Sequence, residues 1–155
     1  MNASLANRYR SFLARAAELS DLESAVALLG WDQETMMPEK GVVGRAPVAA
    51  TLAGVLHDKL TAQALADDID ALERETGELG DQGAAQIREL ARLHRRAKNL
   101  PGDLVRAIAE TTSKATATWQ QARADKDFPS FVPLLEEMIR LKRSVADAIG
   151  YTDEP

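Results

Sequence analysis

Apolar positions recur at helical spacing along almost the whole chain. Over residues 4–19, Leu5, Tyr9, Phe12, Leu13, Ala16 and Leu19 fall on one stripe, which predicts an amphipathic helix. Ser20 followed by Glu23 has the form of a capping box, so a second helix is expected from about residue 21 to residue 31 or slightly beyond, joined to the first as an antiparallel pair or across a sharp kink. That helix is expected to bury Leu22, Val26, Leu28 and Leu29, and Pro38 forbids its continuation. Residues 39–44 are polar and glycine-containing and read as a loop. Pro47 fits the first turn of a third helix over residues 45–59. Thr61 is placed to cap a fourth over 62–75, and Asp81, after Gly77 and Gly80, to cap a fifth ending near Lys98. Pro101 opens a sixth helix striped by Leu104, Ile108, Ala115, Trp119 and Ala122. Asp127 caps a seventh, whose face carries Phe128, Phe131, Leu135, Met138, Leu141 and Val145, and Gly150 ends it. No segment alternates as a strand does, and no internal repeat or low-complexity tract interrupts the pattern. The expected fold is all-α, a set of antiparallel hairpins or a bundle of about six to seven helices.

Composition narrows this picture. The 155 residues suit a single helical region spanning positions 1–155. Apolar residues reach 45% while aromatics are only 5%, so the core must be built from leucine and alanine, as in long packed helices. The absence of cysteine removes disulfides, thiolate metal ligands and thiol nucleophiles, and fits a cytoplasmic location. A net charge of −5 argues against nucleic acid as the main partner. No apolar run approaches the ~18 residues of a membrane span, so no membrane partner is expected. Arg8, Arg10 and Arg15 on an amphipathic pattern superficially suggest an organelle presequence. Glu18, Asp21 and Glu23 follow at once, and the segment reads as the first helix of the fold.

Candidate chemistry is sparse. A catalytic zinc needs donors converging at about 2 Å, commonly two histidines one helical turn apart. The two histidines here, His57 and His94, have no second histidine at that spacing. His57 beside Asp58 reads as a surface or helix-end residue, and His94 lies among Arg92, Arg95 and Arg96, which repel a cation. No metal ligand and no catalytic residue is assigned. The basic run over residues 88–98 reads as a solvated helix face with no interleaved aromatic platform for bases. The acidic stretch of Asp67, Asp68, Asp70, Glu73, Glu75 and Glu78 reads as another solvated face, able to pair with the basic one. The polar cluster Trp31, Asp32, Gln33, Glu34 and Thr35 is the candidate site, with two readings. In one, Trp31 anchors the helix end in the core while Asp32 and Thr35 satisfy free backbone groups. In the other, the turn faces a ligand groove and Gln33 or Asp32 hydrogen-bonds a substrate backbone.

The run from Leu28 to Pro38, with its Trp31-Asp32-Gln33, Thr35 and Met37-Pro38, resembles the L-x-W-D-Q-x-T-x-M-P signature of the carboxypeptidase Taq family of metal-dependent carboxypeptidases. The likeness continues in order. Arg45 precedes a helix with Leu52, Leu56, His57 and Leu60; Leu100-Pro101 precede Leu104-Val105; and Trp119, Ala122 and Arg123 precede Asp127-Phe128. Phe131, Pro133, Leu134, Leu141-Lys142, Gly150-Tyr151 and Pro155 complete it. The resemblance implies the N-terminal helical region of such an enzyme, one wall of its peptide groove. It also implies that the H-E-x-x-H helix, which holds zinc (or cobalt) and supplies the general base, belongs to a downstream part these residues do not include. The chain is therefore expected to be a truncated piece, inactive alone, with peptide substrate taken only by the full-length enzyme. The resemblance and the apolar faces at Val42, Val43, Leu52, Val55, Leu56 and the last helix imply a homodimer. The rival expectation is a standalone interaction or dimerisation module derived from that family.

Overall fold

The computed structural model describes residues 2–150; Tyr151 and Pro155, named above, lie outside them. Six α-helices follow one another: α1 (Ala3–Thr35), α2 (Val42–Leu60), α3 (Gln63–Glu73), α4 (Gly80–Lys98), α5 (Gly102–Asp125) and α6 (Phe128–Ile149). Short 3-10 turns at Glu39–Gly41 and Thr76–Glu78 complete the regular structure, and no strand occurs among the described residues. The all-α expectation holds.

Several local expectations do not. The first two predicted helices are one continuous α1. Ser20 does not cap a new helix there; its carbonyl accepts a bond from Ser24 Oγ at 2.8 Å, the back-bonding a serine makes inside a helix. No glycine or proline lies between Ala3 and Leu29, so nothing forces a break. The start of α1 is capped by Asn2, whose Oδ1 accepts from the Leu5 amide at 2.8 Å. The expected loop over residues 39–44 is shorter, because the 3-10 turn runs straight into α2 at Val42 and leaves Pro47 inside the helix. A Cβ on Gly41 would stand 2.7 Å from Met37 Cγ, so any larger residue there would have to displace the Met37 side chain. Thr61 does not cap α3; its hydroxyl donates back to the His57 carbonyl at 2.8 Å. Asp81 sits within the first turn of α4 instead of capping it, where a carboxylate still favours the helix dipole. Asp127 behaves as expected and accepts from the Ser130 amide at 3.4 Å.

The chain forms two compact units. The first comprises residues up to Ser24 with Leu56–Asn99, the second Ala25–Val55 with residues from Leu100 onward. The first unit has a continuous apolar core. Leu5, Phe12 and Leu19 of α1 pack with Leu65, Ile69 and Leu72 of α3 and with Ile87, Leu90 and Ala91 of α4. Each large side chain so buried contributes roughly 1.5–3 kcal/mol. Asp68, expected on a solvated acidic face, is buried instead. Its two oxygens meet Arg8 Nη1 at 3.3 Å and Arg15 Nε at 3.1 Å. His94 also departs from the basic surface around it. It is 5% exposed, and its Nδ1–H donates to the Leu60 carbonyl at the end of α2 at 2.8 Å. Tyr9 donates to Gln86 Oε1 at 2.6 Å, and a Cβ on Gly83 would crowd Leu79 Cβ at 2.9 Å and the Tyr9 hydroxyl at 3.2 Å.

The second unit is built differently. Among its described residues the buried positions are mostly small, namely Ala46, Gly54, Ser113 and Ala122, with Leu141 the one large side chain. The α5–α6 hairpin is its main packing pair. Every large hydrophobic that is exposed among the described residues belongs to this unit. They include Val26 and Leu28, which the helical pattern led us to expect inside; α1 there turns those positions outward.

Two substitutions test the first unit. Leu72→Ala should lower unfolding stability by about 2–5 kcal/mol, as for a buried leucine without room to collapse. Asp68→Ala should lower it by about 1–2 kcal/mol, less than a fully buried pair would, because the Arg8 and Arg15 side chains are 42% and 41% exposed. Urea unfolding followed by circular dichroism measures both, and an unchanged midpoint in Asp68→Ala would mean that the two arginines do not depend on it.

Candidate functional site

The C-terminal end of α1 gathers the polar residues singled out from the sequence, and the fold gives most of them intramolecular partners. The Met36 and Met37 amides both donate to the Asp32 carbonyl at 2.9 Å, which turns the chain out of the helix towards Pro38. The Asp32 carboxylate pairs with Arg45 Nη2 from α2, and Arg45 Nη1 donates to the Leu29 carbonyl. One guanidinium thus holds both a side chain and a backbone oxygen at the end of α1, a two-point contact that a lysine could not reproduce.

Gln33 makes a reciprocal pair with Ser113 of α5. Its Nε2 donates to the Ser113 carbonyl at 2.8 Å, and the Ser113 hydroxyl donates to Gln33 Oε1 at 2.7 Å. Ser113 is 6% exposed, so neither end of this amide could be left unmatched without cost. Thr35 donates to the Trp31 carbonyl at 2.7 Å and satisfies a helix-end acceptor as the first reading requires. Trp31 departs from that reading. It is 58% exposed and anchors nothing in a core. Glu34 is exposed and borders a largely apolar cavity of about 230 Å³, together with Leu29, Gln33, Arg45, Leu52 and Thr112.

The structure therefore brings Asp32, Gln33 and Glu34 to one place with Arg45 and Ser113, and leaves Trp31 and Thr35 outside the network. Ser113 was not singled out by sequence reasoning. It lies off the apolar stripe of α5, on a face shared with Arg106, Glu110 and Thr116, so the helical period gave no signal for it. The arrangement binds helices to one another; it contains no nucleophile with a base and no histidine.

Elsewhere, His57 lies half-buried in the last turn of α2, and His94 is buried in the core of the first unit. Among the described residues no three His, Asp or Glu side chains converge as a metal site requires. The residues present do not fit a catalytic zinc. The basic face of α4 is solvated as expected, with Arg95 meeting Glu73 at 3.1 Å. On the same face Arg92 hydrogen-bonds Glu89 through two nitrogens, which holds that carboxyl below its ordinary range and raises the arginine in turn. No helix among the described residues is long and apolar enough to cross a membrane.

A sequence profile described as carboxypeptidase Taq (M32) metallopeptidase matches residues 11–155. The chain belongs to that family. It is 31% identical over 148 residues to thermostable carboxypeptidase 1 of Pyrococcus furiosus, covering 94% of this chain and 29% of that protein. It is also 31% identical over 144 residues to thermostable carboxypeptidase 1 of Thermus thermophilus, covering 91% of this chain and 28% of that one. The fold matches the BsuCP crystal structure with a TM-score of 0.92 at 24% identity, over 96% of this chain and 30% of that one. The chain thus spans under a third of the length of these relatives, and corresponds to an N-terminal portion of a carboxypeptidase Taq-like enzyme.

The Gln33–Ser113 pair is open to a double-mutant cycle. Gln33→Ala and Ser113→Ala should each destabilise the chain, with a coupling of about 1 kcal/mol between them. Trp31→Ala should change stability by no more than about 0.5 kcal/mol, as at other surface positions, far from the ~3–5 kcal/mol of a buried aromatic. Additive losses in the cycle, or a large loss at Trp31, would contradict these contacts.

Proposed function

We propose that this chain is a helical wall of a metal-dependent carboxypeptidase that removes residues from peptide C-termini, and that the amide-cleaving chemistry lies outside these residues. The observation that carries the reading is the family match over residues 11–155, set beside relatives named carboxypeptidases whose length is more than three times the part matched. In this reading the zinc (or cobalt) of the complete enzyme is held by donors beyond this chain. The contribution of these residues is positional. Arg45 with Asp32, and Gln33 with Ser113, fix the end of α1, and that end borders the substrate groove of the complete enzyme. A homodimer belongs to the same proposal, supported by the exposed Trp31, Val43, Val48 and Val55 of the second unit. So does a cytoplasmic location, supported by the absence of cysteine.

The exposed apolar side chains also favour a second reading, a helical module that only mediates self-association. The gene beyond codon 155 separates the two. A continuing frame that encodes H-E-x-x-H supports the enzyme, and a stop codon supports the module.

The purified chain should release no amino acid from an N-blocked dipeptide, with or without added zinc or cobalt, because an activated water, an electrophile and a positioned base are all needed. Stoichiometric metal retained after dialysis together with chelator-sensitive turnover would overturn this. Light scattering at rising concentration should report a mass above the monomer; a sharp monomer mass throughout would remove the dimer from the proposal.

A further inference from the structure

Trp119, Ala122, Arg123, Asp127 and Phe128 are one of the ordered segments of the sequence pattern. In the structure it forms the end of α5 and the turn into α6, and it opens a recess of about 270 Å³. Trp119, Ala122, Arg123, Lys126, Phe128 and Phe131 line that recess. The aromatic walls are uncovered: Trp119 is 44% exposed and Phe128 61%, with Phe131 meeting Phe128 edge-on at 6.4 Å between centroids. The Arg123 guanidinium lies over the Trp119 ring, 5.4 Å from its centre, within reach of a cation–π attraction.

Neither cation of the recess meets a carboxylate among the described residues. The acids nearest in sequence are engaged elsewhere. Asp125 Oδ2 accepts from Gln121 Nε2 at 2.6 Å, Asp127 caps α6, and neither lines the recess. Lys126 adds an independent sign. It closes α5 in the left-handed region, at φ 56° and ψ 33°, where a side chain is disfavoured and glycine is the usual residue. The chain thus places an ammonium group at a turn that glycine would close without strain, and that group borders two exposed rings and a second unpaired cation. Strained non-glycine residues of this kind collect at ligand sites.

We infer that this recess is a docking site for an acidic peptide segment carrying an aromatic side chain. Arg123 and Lys126 take its carboxylates, and its ring lies against Trp119 and Phe128. Charge selects the partner: the lining holds two positive groups and no negative one, so an apolar partner alone would leave both cations unmatched and partly desolvated. The inference does not depend on the carboxypeptidase reading.

The test follows the Trp119 indole N–H resonance of the 155-residue chain, assigned through Trp119→Phe, with the Trp31 indole as an internal reference outside the recess. The probes are blocked tripeptides: Asp-Phe-Asp, its neutral analogue Asn-Phe-Asn, and Asp-Ala-Asp. Asp-Phe-Asp should shift the resonance saturably, bind about tenfold more tightly than either control, and weaken as salt rises. Lys126→Gly should lose about tenfold in binding while its melting temperature stays level or rises, because the strain is relieved as the cation goes. Arg123→Gln should lose binding in the same way without affecting the first unit. Equal binding of the neutral and acidic peptides would overturn the inference and leave an apolar patch. A Trp119 shift that appears on concentrating the protein alone, and that no peptide competes away, would also overturn it and assign the face to a second copy of the chain.

Discussion

The first unit depends on the register of α1. Leu5, Phe12 and Leu19 recur roughly two helical turns apart and form the apolar row that α3 and α4 cover. Arg8 and Arg15 recur at the same interval on a neighbouring row and converge on one carboxylate, Asp68. The two rows keep step only if the helix runs without interruption through both. The apolar contacts supply most of the free energy, since both arginines are partly solvated and their pairing contributes less. The pairing supplies specificity instead: a slip of one residue along α1 would turn the leucines outward and leave Asp68 buried without a partner.

Much of the fold was legible because the apolar periodicity of α3, α4 and α6 is strong and several helix ends carry firm signals. Asp127 caps as expected, Gly150 stops the last helix, and Pro101 stands immediately before α5. Ser20 with Glu23, Thr61 and Asp81 all look like helix starts over a few residues. Ser24 and Thr61 instead bond the carbonyl of the residue four back, which suits the inside or the end of a helix, and Asp81 falls one residue inside α4. Asp68 was indistinguishable from the acids around it because its partners lie 53 and 60 residues away. His94 was hidden within a basic run whose other members are exposed, although the helical period alone places it three and four residues from the buried Ala91 and Leu90. At the candidate site the sequence marked Asp32 and Gln33 but not what they hold. Arg45 and Ser113 answer them from 13 and 80 residues away.

The two units divide the work of the chain between them. One is closed over large aliphatic side chains and a stacked Tyr9–Phe12 pair, and it has the composition of an independently stable core. The other packs small residues and ties its helices with polar pairs, while its larger apolar groups face out. That leaves large apolar side chains of the second unit in contact with water, and the matched region is under a third of each relative.

The placement of the two tryptophans has an optical consequence. Trp31 and Trp119 are both substantially exposed, and both belong to the second unit. Their indoles already emit in a watery environment in the folded protein, so unfolding has little spectral distance left to move them. The first unit, with its dense core, contains no tryptophan at all and is dark to that probe. Its fluorescence reporter is Tyr9, hydrogen-bonded to Gln86, so a melt recorded through tryptophan emission would follow the looser half of the molecule and miss the half that carries the core.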